Sequence, residues 1–104
     1  LNGQSFAFNG YLPIEKADRI KRLRDLENRS LRENQTQLFI ETPFRNNQII
    51  TDILEACSAD TLLCIAADIT AETEFVKTAP IREWKKNKPD INKRPAIFLL
   101  HKYR

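Results

Sequence analysis

The sequence predicts an α/β domain built on a mixed five-stranded sheet with two long helices. Two continuous apolar runs, Leu62 to Ala67 and Pro95 to Leu100, have the composition of strands that are covered on both faces. Two amphipathic segments with helical spacing lie between shorter strand-like segments. A chain of 104 residues suits a single domain, which we assign to residues 1–104.

The first half of the chain alternates strands and helices. Ser5 to Leu12 alternates aromatic and small residues, as a strand does, and Thr36 to Glu41 predicts a second strand. The apolar spacing from Ile49 to Cys57 predicts a helix. An earlier helix is predicted from Glu15 to Glu33, with a buried stripe formed by Ala17, Ile20, Leu23, Leu26 and Leu31.

The second half predicts a hairpin and a last strand. Thr61 to Asp68 is the third strand, and Glu74 to Thr78 returns antiparallel to it. Pro80 to Lys86 predicts one or two helical turns. Because the run from Pro95 to Leu100 must be covered on both faces, we expect it to insert into the middle of the sheet. Right-handed crossovers then put both long helices on one face, so the other face needs a partner.

Composition excludes several classes of function. The net charge of +3 is mild, and neither Gly3 nor Gly10 lies in a phosphate-cradling loop. His101 is the only histidine, which argues against a nucleophilic triad and suggests a surface or interface residue. Cys57 and Cys64 lack metal-ligand spacing and predict reduced core thiols in a cytoplasmic protein.

The ends and apolar content of the chain also carry predictions. No apolar run approaches the length of a membrane span, so we expect no membrane partner. The sequence starts at Leu1 and contains no Met, from which we expect a fragment of a longer protein.

The end of the third strand predicts a ligand site. A buried apolar run stops abruptly there at Asp68, Ile69 and Thr70. In open sheets packed with helices, ligands bind beyond the carboxyl ends of the strands. The alternative is that these residues only form a turn.

A second candidate is the basic connection near Trp84. Lys85, Lys86, Lys88, Lys93 and Arg94 accumulate there with only Asp90 against them. A small RNA-binding module could contact phosphates with these cations and stack a base on the Trp84 ring. The alternative is a solvated connection that keeps the domain soluble.

Four segments together resemble a known family. They are SFAFNGYLP at Ser5 to Pro13, IETPFRN at Ile40 to Asn46, LCIAADIT at Leu63 to Thr70, and KRPAIFLL at Lys93 to Leu100. In order and spacing they resemble the C-terminal domain of the tetrapyrrole (corrin/porphyrin) methylase family, over nearly the whole chain.

Within that family the chain most resembles the branch that includes the bacterial enzyme methylating a cytidine ribose 2′-hydroxyl in 16S ribosomal RNA. The branch's Tyr-Glu-Ser-x-His-Arg stretch is matched at Glu41 and Arg45, but not at its His. Its Ala-Arg-Glu-Leu-Thr-Lys stretch keeps an acid at Asp68 and the Thr at Thr70, while Ala67 and Ala71 replace its cations.

The resemblance implies an S-adenosylmethionine-dependent methyltransferase. The cofactor would lie between an N-terminal domain and this one, so the chain would be a cofactor-cleft and dimerisation domain, inactive alone and usually part of a homodimer. Its partners would be its own N-terminal domain and a methyl acceptor, either a tetrapyrrole-like small molecule or ribosomal RNA. A third reading is a domain that serves only as an interaction surface through its uncovered sheet face.

The resemblance also implies which residues bind the cofactor. Glu41 and Thr42 would hold its methionine end, and Ala67, Asp68 and Ile69 would line the cleft. Pro95 and Ala96 would present backbone to the adenine. It assigns no metal and no catalytic residue to this chain, since positioning of two reactants can supply much of the catalysis of methyl transfer.

Overall fold

The computed structural model describes residues 5–103, in which five strands and three helices follow the predicted order. The strands are β1 (Phe6–Tyr11), β2 (Thr36–Ile40), β3 (Leu62–Ala67), β4 (Phe75–Pro80) and β5 (Ala96–His101). The helices are α1 (Lys16–Glu33), α2 (Asn46–Ala56) and the short α3 (Ile81–Lys86), and an unpredicted 3-10 turn at Pro43–Arg45 leads into α2. The predicted fold class is confirmed.

The last strand, β5, lies in the middle of the sheet, whose order is β1-β2-β5-β3-β4. β1 and β2 are parallel, β5 runs antiparallel to both β2 and β3, and β4 pairs antiparallel with β3. Phe98 and Leu100 are fully buried, while Ile97 and Leu99 on the other side of the strand are half-buried. The predicted insertion of the last strand is therefore confirmed.

The hydrophobic core lies between the sheet and the helices. Phe39 of β2 stacks on Phe98 of β5, with ring centroids 5.7 Å apart. Against this layer pack the buried faces of α1 and α2, which also contact each other. Burying one Leu or Ile side chain contributes about 1.5–3 kcal/mol, so this layer is the main source of stability. Both long helices lie on one face, as predicted.

The buried face of α1 differs from the predicted stripe. Leu23 and Leu26 are fully buried, but Ala17 is exposed, and Ile20 and Leu31 are only half-buried. The remaining buried positions are polar: Arg19, Glu27 and Ser30. Hydrophobic periodicity does not reveal these positions, because a polar residue is buried only where a distant segment supplies its hydrogen-bond partners.

Two polar contacts fasten α1 to its neighbours. Arg19 Nε donates to Asp52 Oδ2 of α2 at 2.7 Å, and the Asp52 side chain is completely buried. The carboxylate of Glu27 accepts hydrogen bonds from the Ser58 backbone N–H at 2.7 Å and the Thr61 hydroxyl at 2.5 Å. The buried pair of Arg19 and Asp52 fixes the position of α1 relative to α2, because either charge alone would be costly to bury.

A bulge in β1 sets the direction of the chain beyond it. The register with β2 shifts between Phe8 and Tyr11, and Gly10 has a φ of 68°, which a residue without Cβ adopts at little cost. After the shift Tyr11 lies opposite Ile40, and Leu12 enters the core. The bulge thereby brings Tyr11 and Leu12 beside the end of β2.

The sheet face opposite the helices is only partly covered within residues 5–103, and we call it the open face: Thr36, Cys64, Ala66 and His101 are buried on it. Phe6, Phe8 and Val76 are more than half exposed on it. Side-chain alternation and the strand register assign to this face Phe6, Phe8, Tyr11, Thr36, Leu38, Ile40, Leu62, Cys64, Ala66, Val76, Thr78, Pro80, Ile97, Leu99 and His101. None of these residues carries a formal charge at neutral pH when His101 is neutral.

The isolated histidine and cysteines are buried. His101 was expected at a surface or interface, but within the chain it is covered: its Nδ1 lies 2.9 Å from Thr36 Oγ1, and its ring stacks on Tyr103. This burial lowers the pKa of His101. Cys57 and Cys64 are free and buried, as predicted, and burial raises the pKa of the Cys57 thiol.

Candidate functional site

The predicted site residues collect at one edge of the sheet. β5 runs antiparallel to β2 and β3, so its first residues lie at the carboxyl ends of both strands. Ala67 pairs with Ala96, and the Asp68 backbone N–H donates to the Pro95 carbonyl at 2.9 Å. Glu41 follows β2 one residue beyond the pair formed by Ile40 and Ile97. Two strand ends and one strand start thus form this edge, while its role in ligand binding stays a prediction.

Asp68 is held in a tight turn at the end of β3. Its φ is 51°, and Arg94 Nε and Thr73 Oγ1 donate to its Oδ2 at 2.6 and 2.9 Å. Arg94 also donates to the Thr73 carbonyl. The hydrogen bonds from Arg94 and Thr73 hold the pKa of Asp68 below its usual range. A carboxylate that is charged and engaged in this way forms part of a wall and is poorly suited to accept a proton.

Small and apolar side chains line a shallow depression of about 260 Å³ beside this turn. Its lining residues are Ala66, Ile69, Pro95, Ala96 and Ile97. Ile69 is half exposed at its rim. Ala67, in contrast, is completely buried in the core, so its backbone is the part that faces the edge. The depression offers apolar surface to a flat ligand group without presenting a charge.

Glu41 lies beside a second depression, of about 450 Å³. The Glu41 residue is 7% exposed, and its Oε1 accepts a hydrogen bond from the Thr42 backbone N–H at 2.8 Å. Its Oε2 is buried and has no hydrogen-bond partner in the structure of residues 5–103. A buried acceptor left in this state costs about 1–3 kcal/mol, which a donor from a ligand would recover.

Arg45 is a residue of this edge that the sequence analysis did not select. It lines the depression beside Glu41 and also a neighbouring one of about 470 Å³, which contains Lys16, Arg19 and Gln48. Arg45 directly precedes α2, whose N-terminal end carries a partial positive charge. The match of Arg45 to the family stretch was the signal that could have identified it.

One part of the RNA-binding hypothesis, the stacking of a base on Trp84, is wrong, while phosphate contacts by the basic residues around it stay a prediction. Trp84 is 1% exposed, and its Nε1 donates to the carbonyls of Leu63 and Ala79 at 2.9 and 3.1 Å. Lys77 Nζ lies over the ring at 5.2 Å from its centroid. The ring is a core side chain covered by a strand lysine, so no base can reach its face.

Within residues 5–103, no group of three or more His, Cys, Asp or Glu side chains is arranged to hold a metal ion. None of the helices in that range combines the length and apolarity needed to cross a bilayer.

Comparison with known proteins gives one curated relative and several solved structures. No family model matches the chain. The ribosomal RNA small subunit methyltransferase I of Vibrio cholerae is 26% identical over 107 residues, covering 100% of this chain. This chain spans 36% of that relative's length.

Two similar structures are methyltransferases. The crystal structure of the methyltransferase CobJ matches with a TM-score of 0.57 and 16% identity, covering 95% of this chain and 41% of that one. Uroporphyrin-III C-methyl transferase from Thermus thermophilus, complexed with S-adenyl homocysteine, matches with a TM-score of 0.53 and 14% identity over 98% and 44% of the two chains. The resemblance inferred from the sequence is confirmed in its fold and its distant homology, while the assignment to a C-terminal domain stays a prediction: this chain has part of the tetrapyrrole methylase fold and is a distant homologue of the Vibrio small subunit ribosomal RNA methyltransferase.

Proposed function

We propose that this chain is the cofactor-cleft and dimerisation domain of an S-adenosylmethionine-dependent methyltransferase, and that it is its C-terminal half. The observation that carries the proposal is the shared edge formed by the ends of β2 and β3 and the start of β5. Ligands of open α/β sheets bind at such an edge. The bound S-adenyl homocysteine of the Thermus relative supports the choice of cofactor.

The two depressions of this edge suit the two chemically different ends of the cofactor. The apolar one, with Pro95 and Ala96, would receive the adenine, and the one beside Glu41 and Thr42 would receive the methionine end. Asp68, held by Arg94, is a fixed wall between strand ends and takes no proton. In this scheme the domain contributes to catalysis by positioning the methyl donor, and we assign it no general base.

Two acceptor classes are compatible with this proposal. The Vibrio relative is named for small subunit ribosomal RNA, and the Thermus relative is named for uroporphyrin-III. We propose that the acceptor is bound mainly by the domain that faces this edge.

Calorimetry with S-adenosylhomocysteine tests the cofactor-cleft proposal. We expect clear binding to the full-length protein and little or none to residues 1–104 alone, because the chain supplies one wall of the cleft. In the full-length protein, Ile69→Glu should weaken binding by about tenfold or more, since it places a charge in the apolar depression. Tyr103→Glu, at a similarly exposed position beyond the other end of β5, should leave binding unchanged.

Tight binding by residues 1–104 alone would contradict the claim that the site is shared. Absence of binding by the full-length protein would contradict the cofactor assignment itself.

We further propose that the open face packs against the open face of a second copy. A face without formal charges, as this one is, can meet its own copy about a two-fold axis without like charges facing each other. Phe6 and Phe8 of the edge strand β1 are 60% and 63% exposed on the same face. Exposed apolar side chains that form one patch mark interaction sites.

A single charge on this face should therefore shift the chain from dimer to monomer. Phe8→Asp buries a carboxylate in the interface, so we expect the dimer dissociation constant to rise by at least about a hundredfold in sedimentation equilibrium. Phe44→Asp is the matched control, because Phe44 is 74% exposed but belongs to the 3-10 turn and to none of the strands. A wild-type chain that stays monomeric at high concentration, or equal effects of the two substitutions, would contradict the proposal.

A further inference from the structure

A carboxylate and a guanidinium line the same depression without pairing with each other. Glu41 and Arg45 both contribute to the 450 Å³ depression, together with Tyr11, Leu12, Ile14 and Thr42. Among the ion pairs of residues 5–103, none joins Glu41 to Arg45. Opposite charges that share a depression and remain apart leave room for a ligand group between them.

Glu41 is already oriented for a donor. Its Oε1 is fixed by the Thr42 backbone N–H, which leaves Oε2 as the buried oxygen without a partner. A carboxylate accepts hydrogen bonds only, so the missing partner must be a donor such as an ammonium group. Tyr11 and Ile14, which line the same depression, are 63% and 72% exposed.

Arg45 is available to an acceptor. Its side chain is exposed, and its guanidinium has no hydrogen-bond or ion-pair partner in the part of the chain the structure describes. The neighbouring cations are already neutralised, since Lys16 pairs with Glu55 and Arg19 with Asp52. One positive and one negative charge therefore remain unmatched at this depression. That balance favours a dipolar ligand over a simple anion such as phosphate.

We propose that Glu41 and Arg45 together bind a zwitterionic α-amino acid group, with the ammonium on Glu41 and the carboxylate on Arg45. The guanidinium fork matches a carboxylate in two parallel hydrogen bonds, which fixes the direction of the group as well as its affinity. The inference rests on the proposed function, because the proposed cofactor carries such a group at its methionine end. Arg45 is then the residue that distinguishes the complete cofactor from analogues without a carboxylate.

Three adenosine ligands separate the two contacts in the full-length protein. They are S-adenosylmethionine, its decarboxylated form, which keeps the amine but lacks the carboxylate, and 5′-methylthioadenosine, which lacks the whole amino acid. In calorimetry, Arg45→Gln should raise the dissociation constant of S-adenosylmethionine by about tenfold or more. The dissociation constant of the decarboxylated ligand should not change. Glu41→Gln keeps an acceptor for the Thr42 N–H. It should weaken the binding of both amine-bearing ligands and leave the binding of 5′-methylthioadenosine unchanged.

The control is Arg29→Gln, which removes an exposed guanidinium on α1, paired with Glu33. It should leave all three dissociation constants unchanged, and thermal melts of each variant verify that folding is intact. Equal weakening of all ligands by Arg45→Gln, or no weakening, would overturn the inference. If wild-type protein binds 5′-methylthioadenosine as tightly as S-adenosylmethionine, the inference fails and the cofactor site stands. If it binds none of the three, the proposed function fails as well.

Discussion

Replacing Asp52 by Asn is expected to lower the free energy of unfolding by about 3–5 kcal/mol, the range for removing one partner of a buried ion pair. Asn keeps the shape and an acceptor oxygen, but it leaves the Arg19 guanidinium buried without a counter-charge. The remaining contact of Arg19, to the Ile14 carbonyl, carries no formal charge. Urea unfolding of the wild-type and variant chains, followed by circular dichroism, measures the difference.

The matched control is Glu33→Gln, which removes the carboxylate of the exposed pair between Arg29 and Glu33. Because both side chains are about half in solvent, this change should stay below about 1 kcal/mol. Replacing both buried partners, as Arg19→Met with Asp52→Leu, should cost less than Asp52→Asn, since no charge then remains buried. A loss for Asp52→Asn no larger than for Glu33→Gln would show that the pair is effectively solvated.

Replacing Trp84 by Ala is expected to lower the free energy of unfolding by about 3–5 kcal/mol, as other large-to-small changes in cores do. The indole fills the space between α3 and the hairpin of β3 and β4, and its N–H donates to one carbonyl on each strand. Trp84→Phe keeps most of the apolar volume and loses only these hydrogen bonds, so its effect should be smaller. Thermal and urea unfolding of the two variants show which of them loses more stability.

Lys85→Ala, next to Trp84 but exposed, is the control for local sequence changes and should alter stability by less than about 0.5 kcal/mol. A Trp84→Ala protein with wild-type stability would mean that the ring is not part of the core. The same result would restore the indole as a surface group for ligand stacking.

Much of the fold could be predicted from periodicity and from the two apolar runs. The run from Pro95 to Leu100 is apolar on both sides, which predicted that the last strand inserts into the middle of the sheet, where β5 lies. The stripe of Ile49, Ile50, Ile53 and Leu54 likewise identified α2. Patterns of this kind depend on local spacing and burial, both of which are present in the sequence itself.

The polar part of the interior could not be predicted in this way. Arg19 is buried because it donates a hydrogen bond to Asp52, and Glu27 is buried because it accepts hydrogen bonds from Ser58 and Thr61. All three partners lie far from α1 along the chain. Trp84 was misread for the same reason: its lysine neighbours are local, whereas the carbonyls that bury its N–H are on two other elements. Both errors reflect contacts between distant segments, which no periodicity records.

The candidate edge could be predicted only in part. The strand ends at Glu41 and Asp68 and the strand start at Pro95 were found from the sequence, because strand ends are local features. Their partners were not: the hydrogen bond from Arg94 to Asp68 and the unpartnered oxygen of Glu41 appear only in three dimensions. The sequence therefore located the edge, and the structure distinguished an engaged carboxylate from an available one.

The central position of β5 also determines the order in which this domain can be completed during synthesis. β1 with β2, and β3 with β4, can pair soon after they leave the ribosome, but they remain two separate ribbons until Ala96 to His101 emerge. Until then the inner edges of β2 and β3 expose unpaired backbone groups, the feature that recruits foreign strands. Of the strands of this domain, the last to be made thus closes the sheet, so a nascent chain that pauses before β5 exposes two unpaired strand edges that favour aggregation.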